Sequence, residues 1–327
     1  MTTSKRAAVT GRRLAASGGG LVLVLLLASL FTFFLVTLLP GDPAVAILGD
    51  GQSPERYAEV RAELGLDQPF LERYVDWLGH TVRGDLGDSL IPPGGKVIDR
   101  ITAAMPISLE LAVLAMLVAV LIAVPVALLA ANKPGGRIDR WLGAGSAASL
   151  SLPSFLVGLL LVLVFVRALN IFPRAEWVRI TSDKGLWQHI RHLVLPVVTI
   201  AVGEIAVFSR LLRDDLVRTL DSEFIASART RGLSPRRVLV RHALRPSSFS
   251  FITLAGVNLG RLIGSTVIVE SVFTLPGIGT LLTRSASQGD ITVVQGVVLV
   301  VAVLYVVVNA GVDVLYTWLD PRLRRAG

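Results

Sequence analysis

Residues 107–131 read ISLELAVLAMLVAVLIAVPVALLAA, an almost uninterrupted run of apolar side chains. An α-helix rises about 1.5 Å per residue, so about 20 such residues cross the roughly 30 Å hydrocarbon core of a bilayer. The stretch therefore predicts a transmembrane helix. The fold of the whole chain then depends on how many similar stretches it contains.

Five further segments have the same apolar character. They are Leu21–Leu39, Leu142–Leu169, Leu193–Leu212, Phe249–Phe273 and Ile291–Trp318. The mean hydropathy of +0.67 agrees with this pattern. Charged residues make up 17% of the chain, whereas a soluble domain carries about 25%. The sequence predicts an all-α membrane protein with about six transmembrane helices.

The first apolar segment follows a basic N-terminus and so resembles a secretory signal peptide. The core of a signal peptide spans only about 7–15 residues and ends in small residues. The segment 21–39 is longer and ends in Pro40-Gly41-Asp42-Pro43. We therefore expect it to be retained as the first transmembrane helix.

Basic residues indicate which ends of the helices face the cytoplasm. They are concentrated at the N-terminus, in Lys133–Arg140, in Arg210–Arg245 and in Pro321–Arg325. The positive-inside rule places these segments, and both termini, in the cytoplasm. Acidic residues outnumber basic ones in Gly41–Arg100, which falls on the opposite side. The expected organisation is a cytoplasmic segment 1–20, a first helix 21–39, an extracytoplasmic segment 40–106, a core transmembrane domain 107–320 with a cytoplasmic loop 214–247, and a cytoplasmic tail 321–327.

Several classes of function are excluded or disfavoured by residue content. The chain has no cysteine, which rules out disulfides, thiolate metal sites and cysteine nucleophiles. Its four histidines are scattered, so we expect no metal site and no cofactor on this chain. A pI near 10.5 suggests nucleic-acid binding, but the arginines flank apolar runs instead of lining a soluble face. Gly94-Gly95-Lys96 lacks the upstream glycine of a phosphate-binding loop, and no hydrolase motif lies in a span.

The extracytoplasmic segment has its own helical pattern. Ser53 followed by Pro54 predicts an N-cap and first helical residue, and Gly65 ends that helix. Phe70–Val82 predicts a second, amphipathic helix with its apolar stripe at Leu71, Tyr74, Val75 and Leu78. Both a docking surface and a lid over helix ends are compatible with this pattern.

The loop 214–247 is too long for a simple connection and reads as helix, break, helix. Asp221 or Ser222 can cap a helix that ends at Gly232, where glycine takes a left-handed conformation at low cost. Ser234-Pro235 then starts the next helix. Phe224, Ile225 and Ala228 form the expected apolar face. This helix could dock into a groove on a partner or rest on lipid headgroups, and the residues alone leave both open.

Ionisable side chains within predicted spans are costly and should face a cavity or a partner. Arg261 and Glu270 are nine residues apart on one predicted helix and point to opposite faces, so they cannot pair. Glu204, in the preceding span, is a candidate partner for Arg261. Asn258 and Glu270 are further candidates for the same cavity.

The cytoplasmic loop carries a family resemblance. Glu223-Phe-Ile-Ala-Ser-Ala-Arg-Thr-Arg-Gly232 is similar to the "EAA" loop of ABC importer permeases, although the later Ile-x-Leu-Pro ending is only approximate at His242–Pro246. The whole chain resembles the first permease subunit of dipeptide, oligopeptide and nickel importers (the DppB/OppB type). The supporting stretches are Leu39-Pro-Gly-Asp-Pro43, Leu64-Gly-Leu-Asp-Gln-Pro69, Arg83-Gly-Asp-Leu-Gly-Asp-Ser89, Ser108-Leu-Glu-Leu111, Arg229–Leu233, Arg241–Arg245, Val269-Glu-Ser-Val-Phe-Thr-Leu-Pro-Gly-Ile-Gly279, Val294-Gln-Gly-Val297, Asp313–Tyr316 and Leu319-Asp-Pro-Arg322.

This resemblance implies a type I ABC importer permease fold in the bacterial cytoplasmic membrane. It implies a second related permease, two ATPase subunits or one fused ATPase that bind ATP and Mg²⁺, and an extracytoplasmic substrate-binding protein. It also implies that residues of the cytoplasmic helix couple ATPase motion to the membrane helices: Glu223, Phe224, Ile225, Ala226, Ala228, Arg229, Gly232 and Leu233. Peptides are the substrate class that it favours, with nickel, haem and glutathione as alternatives. An ATP-independent secondary transporter or channel is the alternative function, which the absence of a detectable repeat and the long loop favour less.

Overall fold

The computed structural model describes the backbone of residues 3–37, 42–49, 51–173, 176–180 and 185–319. It describes the side chains of the same residues except 3–18, 36, 46 and 313–319. Within these ranges the chain is helical, and its only β-type pairing is one isolated bridge between Asp88 and Lys96. The helices are, in order, α1 (Thr3–Thr37), α2 (Pro43–Leu48), α3 (Pro54–Glu63), α4 (Phe70–Val82), α5 (Val97–Asn132), α6 (Arg137–Ser151), α7 (Ser154–Leu161), α8 (Leu186–Leu220), α9 (Glu223–Thr230), α10 (Pro235–Arg237), α11 (Leu244–Val272), α12 (Ile278–Gln288) and α13 (Ile291–Leu319). Seven residues of π-helix, Val162–Ala168, continue α7, and six more, Val238–Ala243, join α10 to α11.

Four of the described helical segments are long and apolar enough to cross a membrane. They are Val97–Asn132, Leu186–Leu220, Pro235–Val272 and Ile291–Val312. The first predicted span corresponds to the apolar part of α1, Gly19–Leu35, which is shorter than these four. The all-α membrane fold is confirmed, whereas the number of six spans stays a prediction.

The third predicted span, Leu142–Leu169, differs from expectation. It consists of two helical segments, Arg137–Ser151 and Ser154–Ala168, which are bent by 100° relative to each other. The break lies at Leu152, whose φ of −96° and ψ of 124° are extended. Proline disfavours the helical conformation of the residue before it, so Pro153 explains the break.

The cytoplasmic loop predicted over 214–247 is mostly helical. α8 continues to Leu220, and helix resumes at Pro235. Only the residues flanking α9 therefore connect helices here. The sequence shows where the apolar residues stop but not where the helix stops. Arginine and aspartate can continue an α-helix beyond its apolar part, as they do at the end of α8.

The chain divides into two compact units, of which the first comprises residues 1–105 and 281–307. Asp290 is 1% exposed in this unit. Its carboxylate accepts hydrogen bonds from the Ser89 hydroxyl at 2.5 Å and the Leu90 amide at 3.2 Å. These bonds connect the start of α13 to the end of the Arg83–Ser89 stretch. Gly87 has a φ of +79°, and a Cβ there would lie 3.0 Å from the Thr292 side chain.

Two helices from the segment between α1 and α5, namely α3 and α4, also lie in this unit. The Ser53 hydroxyl accepts the Arg56 amide at the start of α3, and Gly65 has a φ of +64°, as the sequence predicted. The helix predicted over Phe70–Val82 is present, and α1 covers only part of its apolar stripe. Tyr74 packs against Phe33 of α1, but Leu71 and Val75 are 68% and 62% exposed.

The second unit comprises residues 106–280 and 308–327. α8 and α11 pack together at its centre, where the rings of Phe208 and Phe251 lie 5.5 Å apart. Small residues allow close approach at two further points: a Cβ at Gly256 would lie 2.5 Å from Val312, and one at Gly158 would lie 3.2 Å from Phe273. This packing positions the two groups of side chains described next.

Candidate functional site

α9 is held between the ends of two long helices. Ser222 occupies its N-cap position, but the Ser222 hydroxyl donates to the Thr219 carbonyl at 2.6 Å instead of capping α9. The hydroxyls of Thr219 and Ser247 are hydrogen-bonded at 2.9 Å, which joins the end of α8 to the start of α11. Gly232 has a φ of +78° after α9, as predicted, and donates its amide to the Arg229 carbonyl at 2.9 Å.

The face of α9 that packs inward is narrower than predicted. Ile225 and Ala228 are 0% and 4% exposed, so they anchor α9 to its own chain. Phe224 was predicted to join them, but it is 51% exposed, with its ring 6.4 Å from that of His242. The remaining predicted coupling residues are exposed or half-buried: Glu223, Ala226, Arg229, Gly232 and Leu233. The outward face therefore presents one aromatic ring among charged and small residues.

Three of the predicted intramembrane side chains meet. Arg261 Nη2 lies 2.7 Å from Glu204 Oε1, and Asn258 Nδ2 donates to Glu204 Oε2 at 2.8 Å. The Glu204 side chain is 7% exposed, whereas that of Arg261 is 60% exposed. The predicted pair is therefore present, and its carboxylate is buried whereas its guanidinium is exposed.

The guanidinium of Arg261 and the carboxylate of Glu204 line a cavity of about 260 Å³. Residues of the bend, including Leu152 and Ser154, line its other side. Ionisable residues within membrane spans usually face a cavity or a partner, and Arg261 and Glu204 do both.

Glu270 does not line this cavity, and its predicted place there was wrong. Glu270 is 0% exposed. Its Oε1 accepts from the hydroxyls of Ser108 at 2.6 Å and Thr266 at 2.8 Å, and its Oε2 accepts from the amides of Gly279 at 2.8 Å and Thr280 at 3.1 Å. The carboxylate caps the N-terminus of α12, a position that favours a negative charge.

Two polar features were not predicted. His189 is 4% exposed and lies 2.7 Å from Glu110 Oε1 through Nε2 and 2.5 Å from the Val178 carbonyl through Nδ1. A second cavity, of about 640 Å³, is lined by Arg167, Asn170 and Thr274. Asn170 and Thr274 have φ angles of 51° and 53°. Neither feature has a local sequence signature, since one joins distant residues and the other includes a threonine, a residue that seldom adopts positive φ. In the described residues no cluster of three or more histidine, aspartate or glutamate side chains could hold a metal ion.

Comparison with known proteins identifies the family. The chain matches the family described as "Binding-protein-dependent transport system inner membrane component" over residues 123–325, and the corresponding N-terminal family over residues 12–90. It is 36% identical over 298 residues to a putative peptide transport system permease protein of Brucella abortus, covering 91% of this chain and 94% of that protein.

Two other relatives and a solved structure agree. The chain is 32% identical to the oligopeptide transport system permease protein AppB of Bacillus subtilis, covering 90% of this chain and 93% of that one. It is also 32% identical to the dipeptide transport system permease protein DppB of Escherichia coli, covering 90% and 94%. A chain from inward-facing structures of the MetNI methionine ABC transporter shares the fold, with a TM-score of 0.56 at 15% identity, over 68% of this chain and 97% of that one. The resemblance indicated by the motifs is thus confirmed: the chain belongs to the binding-protein-dependent transport system inner membrane component family and is a multi-pass permease subunit of an ABC importer.

Proposed function

We propose that this permease imports di- or oligopeptides. The relatives named above are peptide, oligopeptide and dipeptide permeases, and their similarity extends over about nine-tenths of the chain. A second related permease, two ATPase subunits or one fused ATPase that bind ATP and Mg²⁺, and an extracytoplasmic binding protein complete the importer. Six spans with both termini in the cytoplasm fit the distribution of basic residues.

α9 is the element through which ATP-driven motion reaches the membrane helices. The observation that supports this proposal is that one side of α9 is buried against its own chain while another side is exposed. Ile225 and Ala228 fix α9 to its own chain, while Phe224 points outward. The Thr219–Ser247 bond links the flanking helices, so a force on α9 is transmitted to α8 and α11. Such coupling works only if the ATPase binds two permease states with different affinities.

The cavity beside Arg261 is part of the translocation pathway. Its wall combines the exposed Arg261 with Glu204, whose carboxylate accepts a hydrogen bond from the buried Asn258. A peptide is zwitterionic, so it needs polar side chains along a route through the bilayer. Glu204 and Arg261 supply them, and Asn258 holds the Glu204 carboxylate from behind.

Copurification tests the role of α9. The chain is expressed with its ATPase subunit, purified through a tag, and compared with Phe224→Asp and Gly232→Val. Valine disfavours the left-handed conformation at Gly232, and both variants should lose the ATPase while the permease itself remains folded. Gly185→Val is the matched control, since Gly185 also has open space around it but a φ of −68°.

The result has two clear readings. Retention of the ATPase by the wild type and the control, with loss from both variants, supports the coupling proposal. If the wild type retains no ATPase although both proteins are produced, the proposed function is wrong.

A further inference from the structure

The apolar half of α4 is larger than the surface that α1 covers. Phe70, Tyr74 and Trp77 recur at helical spacing and surround Phe33 of α1, with ring centroids 5.3, 5.6 and 5.5 Å away. The Tyr74 hydroxyl also lies 2.9 Å from the Ser29 hydroxyl. These contacts fix one edge of α4 against α1.

The adjoining edge of α4 is apolar and uncovered. Leu71, Val75 and Val82 are 68%, 62% and 79% exposed, and they lie on one side of the helix at spacings of four and seven residues. Glu72, Asp76 and His80 are exposed on the neighbouring side, centred about 120° around the helix from this strip. α4 therefore divides into three strips: aromatic side chains on α1, an open aliphatic strip, and a polar strip.

The position of α4 along α1 places this open strip at membrane depth. Phe33 and Ser29 precede the last residue of α1, Thr37, by four and eight positions, which corresponds to about 6 and 12 Å along the helix axis. α1 is apolar over Gly19–Leu35, so both contact residues lie within the segment predicted to be the first transmembrane helix. A helix that packs against this end of a membrane span lies at the boundary of the bilayer.

The surface of α1 beside this contact is apolar too. Leu27, Phe31 and Phe34 are 56%, 61% and 46% exposed, and with Phe70 they line an open groove of about 690 Å³. The aliphatic strip of α4 thus adjoins a surface of α1 that is also apolar and exposed. Tyrosine and tryptophan at the contact are the residues that favour the boundary between headgroups and acyl chains.

We propose that α4 is an interfacial helix, with Leu71, Val75 and Val82 among phospholipid acyl chains and with Glu72, Asp76 and His80 facing water. Amphipathic helices in this position bury their apolar face about 5–10 Å below the headgroup boundary, in agreement with the position of the contact on α1. The helix would anchor the segment between α1 and α5 to the bilayer. This inference is independent of the substrate and of the ATPase.

Site-directed spin labelling tests the proposal directly. The chain has no cysteine, so single cysteines can be introduced without a background signal. Leu71→Cys, Val75→Cys and Val82→Cys report the aliphatic strip, and Glu72→Cys and Asp76→Cys are matched controls on the same helix. Each full-length variant is labelled with a nitroxide in liposomes of phosphatidylcholine and phosphatidylglycerol. Collision rates with oxygen, which partitions into lipid, and with a neutral nickel chelate, which stays in water, are then compared.

The expected result is oxygen contact exceeding nickel contact at 71, 75 and 82, and the reverse at 72 and 76. Equal nickel contact at all five positions would place α4 in water and overturn the proposal. Protection of 71, 75 and 82 from both reagents would also overturn it, because a protein partner would then cover the strip. All five substitutions are at exposed positions, so loss of folding is not expected to obscure the comparison.

Discussion

Glu270 accepts a hydrogen bond from the backbone amide of Gly279 at 2.8 Å, which joins the end of α11 to the start of α12. The same carboxylate receives the hydroxyl of Ser108, whose own oxygen accepts the Ile278 amide at 2.8 Å. The first amides of α12 are thus satisfied by two side chains that lie 162 positions apart in the sequence. Two hydroxyls and two backbone amides thus converge on the one carboxylate of Glu270.

Glu270→Gln should destabilise the permease by about 2 kcal/mol or more, because a buried donor without an acceptor costs that much. If the glutamine oxygen keeps the bonds to Ser108 and Thr266, its NH₂ group faces the amides of Gly279 and Thr280. Thermal unfolding of the purified protein in detergent measures the change. Glu223→Gln, at an exposed position, should leave the midpoint unchanged. An equal midpoint for both variants would contradict the capping role.

Gly279→Ala should be more damaging than alanine at a glycine with free space. A Cβ at Gly279 would lie 2.3 Å from the Cα of Val267, a backbone atom that cannot rotate away. Gly264, on α11, has no atom within 4 Å of its Cβ position and is the control. We expect a loss of folded yield for Gly279→Ala, measured by fluorescence size-exclusion chromatography. Gly264→Ala should match the wild type or gain slightly, because alanine favours helix.

Removal of Arg261 should cost more than neutralisation of Glu204. Arg261→Met leaves the Glu204 carboxylate with Asn258 as its remaining partner, and we expect the lost contact to destabilise the protein by about 1–3 kcal/mol. Glu204→Gln still offers an oxygen to Asn258, and the half-exposed Arg261 can turn to the cavity. Thermal unfolding of the two variants provides the comparison.

The exchanged double variant Glu204→Arg with Arg261→Glu tests the pair itself. If each single charge reversal abolishes assembly or transport, the exchange should restore part of it, since opposite charges again lie within reach. Failure of the exchange to restore either would count against a pairing role, and peptide uptake together with complex yield is the measurement.

Thr274→Gly should stabilise the protein. α11 ends in a Schellman-type turn, with the Leu275 amide on the Glu270 carbonyl at 2.9 Å, and Thr274 occupies the left-handed position that glycine usually takes. A β-branched residue in this conformation costs about 1–2 kcal/mol, which glycine would relieve. Part of that gain is offset because glycine makes the unfolded chain more flexible. Asn170→Gly is the matched control, because asparagine tolerates positive φ better and should gain less. Equal midpoints for Thr274→Gly and the wild type in thermal unfolding would contradict the strain.

Much of the architecture was predictable because its causes are local. Apolar runs longer than a bilayer is thick indicate membrane helices whatever surrounds them, and most of them correspond to helices of the structure. Ser53 caps the next turn through its own hydroxyl, and Gly65 and Gly232 act through their own backbone, so these caps and turns followed from sequence. The pairing of Arg261 with Glu204 was predictable for a different reason. A charge in a span needs a partner, and few candidates exist.

The roles of Glu270, Phe224 and the strips of α4 were decided only by the tertiary structure. The sequence shows that Glu270 needs a partner, but its donors come from Ser108 and from a turn that forms after it. Phe224 and Ile225 are both apolar and adjacent, and only the packing of α9 on its own chain buries one and exposes the other. On α4 the apolar face is wider than its contact, so the position of Phe33 selects which edge is covered. Hydrophobicity is non-directional, so sequence determined which segments leave water, whereas neighbouring helices determined which side of each segment meets protein.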